Sequence, residues 1–345
     1  MTLVGGYWGE GCRAHSGRHA RLQNRLDNAI RQSDALDGAI DEIYHGCVDL
    51  RHLTYLVALA REEHFGRAAR ECHVSQPTLS SGIRRLETEV GFPIVRRSQR
   101  YEGLTPEGER VLEWARRILA DVGGLDDELA AMRGGLSGRL SIGAIPTSLA
   151  CLSLLTTPLC ARHPGITVAV HSLNSRQIER GLHDFELELG VTYLDSEPLT
   201  GVRTMTLYEE RYVLLVASDE AAAEYETVTW AAAAQLPLCL LTSDMQNRRI
   251  IDAIFHEAGA EPRPAVETNS VSTLFAHVRD GPWSSVMAHA WLHIFDVPDG
   301  MKAIPLVEPK ETRTIGLVWL DRDPVPMLAR AMLDAATGVD LEGLL

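Results

Sequence analysis

The sequence has 345 residues, of which 45% are hydrophobic, and a formal net charge of −14. At roughly 100 to 200 residues per domain, this length predicts two or three folded units. The negative charge excludes a protein coated in basic surface, so any nucleic-acid binding must come from a local patch and a specific docking element. The longest apolar runs, 149–155 and 212–217, are far shorter than the roughly 20 residues of a spanning helix, and we predict no membrane partner.

The first 47 residues stand apart from the recognisable domains that follow. Leu22, Leu26 and Ile30 recur at helical intervals, which is the pattern of an amphipathic extension. The other interpretation is that translation starts at Val48 and residues 1–47 are a mis-assigned start. Both interpretations stay open. The N-terminus also lacks the basic start, apolar middle and cleavage site of a secretory signal, which favours a cytoplasmic location.

Residues 48–105 have the pattern of a winged helix-turn-helix domain. One amphipathic helix follows Asp49, and a second, shorter helix carries the paired small residues Ala68 and Ala69, which allow close approach of two helices. Ser75 then occupies an N-cap position with Pro77 just inside the next helix, so a third helix begins there. In a helix-turn-helix domain this third helix enters the major groove of DNA.

The start of the recognition helix and the basic residues after it are the candidate DNA contacts. Gln76 can bond an adenine edge through two hydrogen bonds, and the ring of Pro77 offers an apolar contact to a thymine methyl group. Thr78 and Ser80 can reach a base or a phosphate, while arginines grip phosphates. The predicted DNA-contacting residues are Ser75, Gln76, Pro77, Thr78, Ser80, Arg84, Arg85, Arg96, Arg97 and Arg100.

The segment AARECHVSQPTLSSGIRRLETEVGFPIVRR, followed by LTPEGE, resembles the N-terminal signature of the LysR-type transcriptional regulators. The resemblance implies an all-α winged helix-turn-helix domain, a linker helix and a two-lobed effector domain similar to periplasmic solute-binding proteins. It implies regulation of transcription at promoter DNA, with RNA polymerase as a further partner. Ser81 and Gly82 depart from the family pattern, which usually has Arg and then a long polar residue there. We expect both departures to weaken a DNA contact.

Residues 106–134 are predicted to form a linker helix that dimerises the protein. Thr105 is a good N-cap and Pro106 suits the first helical position. Apolar residues then alternate spacings of four and three, the pattern of a coiled-coil seam. The seam residues are Val111, Ala115, Ile118, Val122, Leu125, Leu129 and Met132. The alternative is a helix that packs within its own chain, and the pair Gly123-Gly124 is expected to weaken or bend the helix.

A homodimer, or a tetramer of paired dimers, would address two half-sites of a partly palindromic operator.

Residues 139–345 alternate short apolar runs with helical segments, which is typical of an α/β domain with parallel strands. The order of the elements predicts two lobes. Lobe I comprises about 139–209 and 307–345, and lobe II comprises about 210–306. The two lobes are expected to be joined by crossing strands.

A small, polar and anionic ligand is predicted to bind between the two lobes. Ligands of open α/β sheets bind beyond the C-terminal ends of strands, where helix N-termini present free N–H groups. Small hydroxyl or amide residues follow four predicted strands, although each is also a natural N-cap. The candidate effector-binding residues are Thr147, Ser148, Asn174, Ser175, Thr242, Ser243, Thr268, Asn269 and Ser270, with Met245, Gln246 and Trp283 as secondary candidates.

Rival functions find less support in the sequence. The chain has no G-x-S-x-G, H-E-x-x-H, P-loop or G-x-G-x-x-G motif, so we predict that it is not an enzyme and uses no cofactor. The six cysteines form no C-x-x-C pair, which predicts no metal site. Two alternatives stay open. The chain is a cytoplasmic solute-binding protein, or it is a redox-sensing regulator that uses Cys151 and Cys239.

Overall fold

The computed structural model describes residues 48–97 and 101–345. Two compact units, Met1–Ala115 and Arg116–Leu345, divide the chain. The interpretations of residues 1–47 and the predicted phosphate contact of Arg100 therefore lie outside the described residues.

Three helices and a two-stranded wing form the described part of the first unit. The recognition helix starts after Ser75, whose hydroxyl accepts a hydrogen bond from the backbone N–H of Thr78 at 3.3 Å. Ile83 and Leu86 of that helix, predicted to face the core, are fully buried. The elements are α1 (Leu50–Glu62), α2 (Phe65–Glu71), α3 (Gln76–Val90), β1 (Val95–Arg97) and β2 (Tyr101–Leu104).

The linker helix α4 (Pro106–Gly134) begins where the sequence predicts, with the Thr105 hydroxyl accepting from the N–H of Gly108 at 2.9 Å. Gly108 is required by a close approach, because a β-carbon there would lie 2.2 Å from the carbonyl oxygen of Ile94 in the loop before β1. The helix continues through Gly123 and Gly124 without interruption.

The second unit contains the rest of α4 and an α/β domain whose strands are numbered from β3 to β12. Its strands are β3 (Ser137–Ala144), β4 (Gly165–Ser172), β5 (Leu189–Tyr193), β6 (Val202–Ala217), β7 (Val228–Thr229), β8 (Cys239–Leu241), β9 (Val266–Thr268), β10 (Ser285–Ala288), β11 (Met301–Val307) and β12 (Thr312–Leu320). Its helices are α5 (Leu152–Arg162), α6 (Ser175–His183), α7 (Trp230–Ala233), α8 (Gln246–Glu257), α9 (Val271–Asp280), α10 (His289–Phe295), α11 (Met327–Thr337) and α12 (Leu341–Leu344).

Strand pairing confirms the two-lobed α/β architecture. In lobe I, β3 pairs in parallel with β4 and β5, and β12 lies antiparallel to β5 and β6. In lobe II, β10 and β11 lie antiparallel to β6, and β8 pairs in parallel with β9. Parallel strands joined by helices bury both faces of a sheet, and all five residues of β5 are buried accordingly.

Strand β6 belongs to both lobes and is longer than the apolar run RYVLLVAS indicates. Its residues up to Arg211 pair with β12 of lobe I, whereas its residues from Tyr212 pair with strands of lobe II. The chain returns to lobe I between β11 and β12. Within the described ranges, no helix is long and apolar enough to cross a membrane.

Candidate functional site

The first turn of the recognition helix exposes most of the predicted base-reading residues. Gln76, Pro77 and Thr78 are exposed, and Ser80 is half-buried. Ser75 acts mainly as the N-cap, and its hydroxyl also lies 2.7 Å from that of Thr78. Gln76 therefore offers a free amide at the position from which a major-groove helix reads base edges.

Gly82, where the sequence predicts a weakened DNA contact, is buried in the described structure. It is buried against α1, and a β-carbon at this position would lie 2.6 Å from Cδ2 of Tyr55 and 3.0 Å from Cδ2 of His52. The glycine thus allows α1 and α3 to approach closely. Ser81 is exposed, so of the two departures it is the one that lies at the surface of the recognition helix.

The predicted phosphate contacts are distributed between the recognition helix and the wing. Arg84, Arg85 and Arg96 are exposed, and the guanidinium of Arg85 lies 3.2 Å from the carboxylate of Glu89. Arg97 is the last residue of β1. Exposed arginines beside a major-groove helix are placed to contact the phosphate backbone.

Most of the predicted dimer seam is exposed within a single chain. Leu125 is 55% exposed and Met132 is 73% exposed, while Ile118 and Leu129 are also exposed. Val111 and Val122 are half-buried. Ala115 is fully buried by its own chain and is not available to a partner. An exposed apolar row at coiled-coil spacing is the surface that a second helix would cover.

A buried polar cluster joins the two lobes, and we call it the interlobe cluster: Thr147, Tyr193, Glu210 and Asn247. The hydroxyl of Tyr193, at the end of β5 in lobe I, donates to Oε1 of Glu210 in β6 at 2.5 Å. Asn247, in the first turn of α8 in lobe II, donates from Nδ2 to the same hydroxyl at 2.8 Å. The Thr147 hydroxyl lies 3.4 Å from it. One tyrosine oxygen therefore connects groups from both lobes.

Glu210 is fully buried at the point where β6 passes from one lobe to the other. Burial raises the pKa of its carboxyl to about 7, although the hydrogen bond from Tyr193 opposes that shift. Oε2 of Glu210 has no hydrogen-bond partner among the described residues. The cluster thus contains an acid that changes charge near neutral pH and has an acceptor to spare.

A second polar group of the cleft surrounds Asp244, which precedes α8. The neighbouring side chains of Thr242 and, to a smaller degree, of Asn174 lower the pKa of Asp244. Thr242 also donates its backbone N–H to the carbonyl of Thr268 at 2.9 Å. Asn174 belongs to lobe I and the other three to lobe II, so three of the four predicted strand ends meet here.

The other predicted effector residues have different surroundings. Ser148 and Ser175 are buried, and the Ser148 hydroxyl donates to the carbonyl of Ile145 at 3.1 Å. Ser243 and Asn269 are exposed, and Ser270 precedes α9, with its hydroxyl 2.9 Å from that of Ser272. Among the secondary candidates, Gln246 is buried, and its side-chain oxygen accepts from the Thr192 hydroxyl at 3.4 Å. Met245 and Trp283 pack in the apolar core of lobe II.

Tyr193 and Glu210 were not predicted. Tyr193 ends an apolar strand, and Glu210 lies in the sequence LYEERY beside another glutamate, so both have the sequence signature of ordinary strand residues. The burial of Glu210, where β6 passes between the lobes, can be recognised only from the folded structure of both lobes. Within the described ranges, no group of three or more His, Cys, Asp or Glu is arranged to hold a metal ion.

The two cysteines proposed as a redox pair belong to different apolar clusters. Cys151 packs in one apolar cluster and Cys239 in another, and both are free thiols. Burial raises the pKa of each thiol to about 11. The reactive form of cysteine is the thiolate, so both side chains have the properties of inert core residues.

These features define a DNA-binding transcription regulator with an effector domain. A family model described as "Bacterial regulatory helix-turn-helix protein, lysR family" matches residues 50–109. A second, described as "LysR substrate binding domain", matches residues 133–339. The chain belongs to the LysR family.

Known members of the family are similar to this chain over most of its length. The DNA-binding transcriptional dual regulator OxyR of Escherichia coli K12 is 32% identical over 280 residues, which is 81% of this chain and 91% of that protein. A full-length OxyR variant from Pseudomonas aeruginosa has a TM-score of 0.68 at 27% identity and covers 85% of this chain and 99% of its own. Full-length CbnR in complex with its target DNA has the same fold, with a TM-score of 0.61 at 22% identity, covering 84% and 99%.

Proposed function

We propose that the chain is a LysR-type regulator that reads operator DNA as a homodimer and responds to a small polar molecule held between its lobes. The observation that supports ligand control most directly is the Tyr193 hydroxyl, which connects Glu210 and Asn247 across the cleft. A molecule that replaces these hydrogen bonds changes the relative stability of open and closed lobes. Coupling of two sites requires such a difference in affinity between two arrangements.

DNA reading is assigned to the exposed start of α3 and to the arginines beside it. Gln76 supplies base discrimination, while Arg84 and Arg96 supply the sequence-independent grip on phosphates. The exposed seam of Leu125, Leu129 and Met132 supports dimerisation through α4. Two copies then address two half-sites, and their placement on DNA is the output that RNA polymerase reads.

The charges around the cleft favour a neutral or hydrogen-bond-donating ligand over the anion expected from the sequence. Glu210 and Asp244 contribute carboxyl groups from two sides. Arg249, at the same end of α8, is engaged by Glu197 of lobe I, with Nη2 at 2.5 Å from Oε1. An anion would have to displace that carboxylate, whereas a donor can use the free Oε2 of Glu210 directly.

We further propose that the chain acts without catalysis and works in the cytoplasm. A regulator must reach the chromosome, and the named relatives are transcriptional regulators. The interlobe cluster contains no free nucleophile beside a base in the described residues, because the Tyr193 hydroxyl is already shared between Glu210 and Asn247.

Several relatives bear the name hydrogen peroxide-inducible genes activator, which makes thiol oxidation the second candidate. Cys151 and Cys239 do not favour it, because burial keeps both as protonated thiols. We expect the double variant Cys151→Ser, Cys239→Ser to keep its full transcriptional response in a reporter strain. Loss of a peroxide response in this variant, with DNA binding intact, would establish the redox mechanism instead.

The proposed function is tested by selecting binding sites from a random duplex DNA library with the full-length protein. We expect one enriched sequence with two related half-sites, bound by two copies of the chain. A reporter driven by that sequence is then screened against a panel of polar metabolites, and Asn247→Ala should remove the response without changing operator affinity. An enriched sequence that the protein binds as a monomer, or a reporter indifferent to the whole panel, contradicts the proposal.

A further inference from the structure

A cavity of about 150 Å³ lies between the linker helix and lobe I, separate from the interlobe cluster. Gly123, Gly124 and Asp127 line it from α4. Glu188 lines it from the segment before β5, and Arg322 from the segment after β12. All of these residues belong to the second unit. We call this space the linker cavity.

The two glycines give the linker cavity its volume. Each lies in regular helix with no left-handed backbone angle, and a β-carbon added at either position meets no atom within 4 Å. Neither strain nor close packing therefore requires a glycine. In a helix interior, each glycine costs about 1 kcal/mol relative to alanine. The two glycines thus lower the stability of the helix, and larger residues at these positions would fill the linker cavity.

The walls combine apolar surface with incompletely neutralised carboxyl groups. Burial raises the pKa of Glu188 and of Asp127, even though Oε2 of Glu188 accepts the backbone N–H of Ser141 at 2.6 Å. The guanidinium of Arg322 is already engaged, because it lies 3.2 Å from the Asp121 carboxylate and 5.2 Å from the centre of the Phe185 ring. The carboxyl groups of Asp127 and Glu188 therefore line the cavity together with the guanidinium of Arg322, which is also paired with Asp121.

We propose that the linker cavity binds a small organic cation with an apolar body about the size of a benzene ring. Its ammonium group would contact Asp127 and Glu188, and its hydrocarbon part would lie against Leu187, Trp319 and Leu328. Cavities of about 150 Å³ lined by apolar side chains accommodate benzene, which sets the size of the body. A buried carboxyl that lacks a full counter-charge is stabilised by a cation.

The linker cavity lies against α4, the helix that carries the predicted dimer seam. At 3.6 residues per turn, Gly123, Gly124 and Asp127 lie on the face of α4 opposite Ile118, Leu125 and Leu129. The ligand would therefore contact the face of α4 opposite the face that carries the predicted dimer seam. This inference does not depend on ligand binding between the lobes.

The test is calorimetric titration of the full-length protein with benzylammonium, benzyl alcohol and benzoate, which share a ring and differ in charge. We expect saturable binding of benzylammonium, at least about tenfold tighter than benzyl alcohol, and no binding of benzoate. Absence of saturable benzylammonium binding, or equal binding of benzoate, overturns the proposal.

Variants separate specific binding from general attraction by an acidic protein. Glu188→Gln and Asp127→Asn should each weaken benzylammonium about tenfold or more. Asp126→Asn, a matched change at an exposed neighbour, should leave affinity unchanged. Gly124→Ala should weaken binding by filling the cavity while raising the melting temperature, because alanine favours the helix. Equal losses in Asp126→Asn and Asp127→Asn, or unchanged binding in Gly124→Ala, contradict the assignment.

Discussion

The recognition helix and the interlobe cluster use polar side chains in opposite ways. Gln76 is exposed on a single helix, and DNA that binds there displaces only water. Tyr193 and Glu210 are fully buried and already bonded to each other, with Asn247 reaching them from the other lobe. A ligand must replace these bonds, and an unsatisfied buried polar group costs about 1 to 3 kcal/mol. The start of the recognition helix is therefore exposed to a partner, whereas a ligand at the interlobe cluster would first have to displace existing hydrogen bonds.

The largest expected effect comes from Glu210→Gln, which removes the ionisable group from the buried side of this comparison. Because the folded-state pKa of Glu210 is raised to about 7, the folded protein holds this proton more tightly than the unfolded chain. Its contribution to the free energy of unfolding therefore falls as pH rises from about 4.5 to about 7, by at most about 3 kcal/mol. The variant should lose this dependence, as measured by urea unfolding at about pH 5 and about pH 8.

Glu209→Gln is the matched control for that measurement, since Glu209 is the neighbouring residue of β6 and is only half-buried. It should retain the pH dependence of the natural chain. If Glu210→Gln and the natural chain respond to pH alike, Glu210 is not the group that titrates.

The next largest effect is expected from Gly82→Ala in the recognition helix. The new β-carbon would lie 2.6 Å from the Tyr55 ring, and overpacking of this kind costs about 2 kcal/mol. Thermal unfolding should show a less stable first unit, with weaker binding to every DNA sequence. Ser81→Ala, at the exposed position beside it, should change stability little. Equal stability of the two variants would refute the packing role of Gly82.

Gln76→Ala should reduce sequence discrimination without disturbing the fold. Loss of two hydrogen bonds to an adenine edge is worth about 1 to 3 kcal/mol of preference for the operator over a point-mutated site. Competition binding with both duplexes measures the difference, and affinity for random DNA serves as the internal control. An unchanged preference for the operator would show that other residues of α3 read the bases.

The smallest effect is expected from Arg96→Ala at the wing. Removal of one phosphate contact should lower the slope of log affinity against log salt by about 0.9, equally for operator and random DNA. Arg279→Ala, an exposed arginine of lobe II, should leave the slope unchanged. A change confined to the operator would show that Arg96 reads sequence.

The two regions also differ in how far the sequence predicts them. The caps at Ser75 and Thr105 and the buried face of α3 follow from residues a few positions apart, and the structure confirms each of them. The bond between Tyr193 and Asn247 joins residues 54 positions apart, and no local pattern encodes such a contact. Gly82 shows the same limit, because only the position of Tyr55 on another helix reveals why a glycine is needed.

Comparable reasoning applies to the strand ends, whose role in effector binding stays a prediction. Thr242 and Thr268 lie side by side because β8 and β9 are parallel and place their C-terminal ends on one edge, and Asn174 of lobe I lies near Asp244 beside them. Asp244 follows Thr242 and Ser243 directly in the sequence, whereas the proximity of Glu210 depends on how the two lobes are assembled.

Strand β6 runs unbroken through both lobes, with Glu210 next to the change of pairing partner. A movement that separated the lobes at this strand would admit water to the carboxyl and lower its pKa toward the ordinary range. Such an opening would release a proton near neutral pH, and closing would take one up. By linkage, any molecule that holds the lobes closed binds more tightly as the medium becomes more acidic, so the regulator would report acidity together with its ligand.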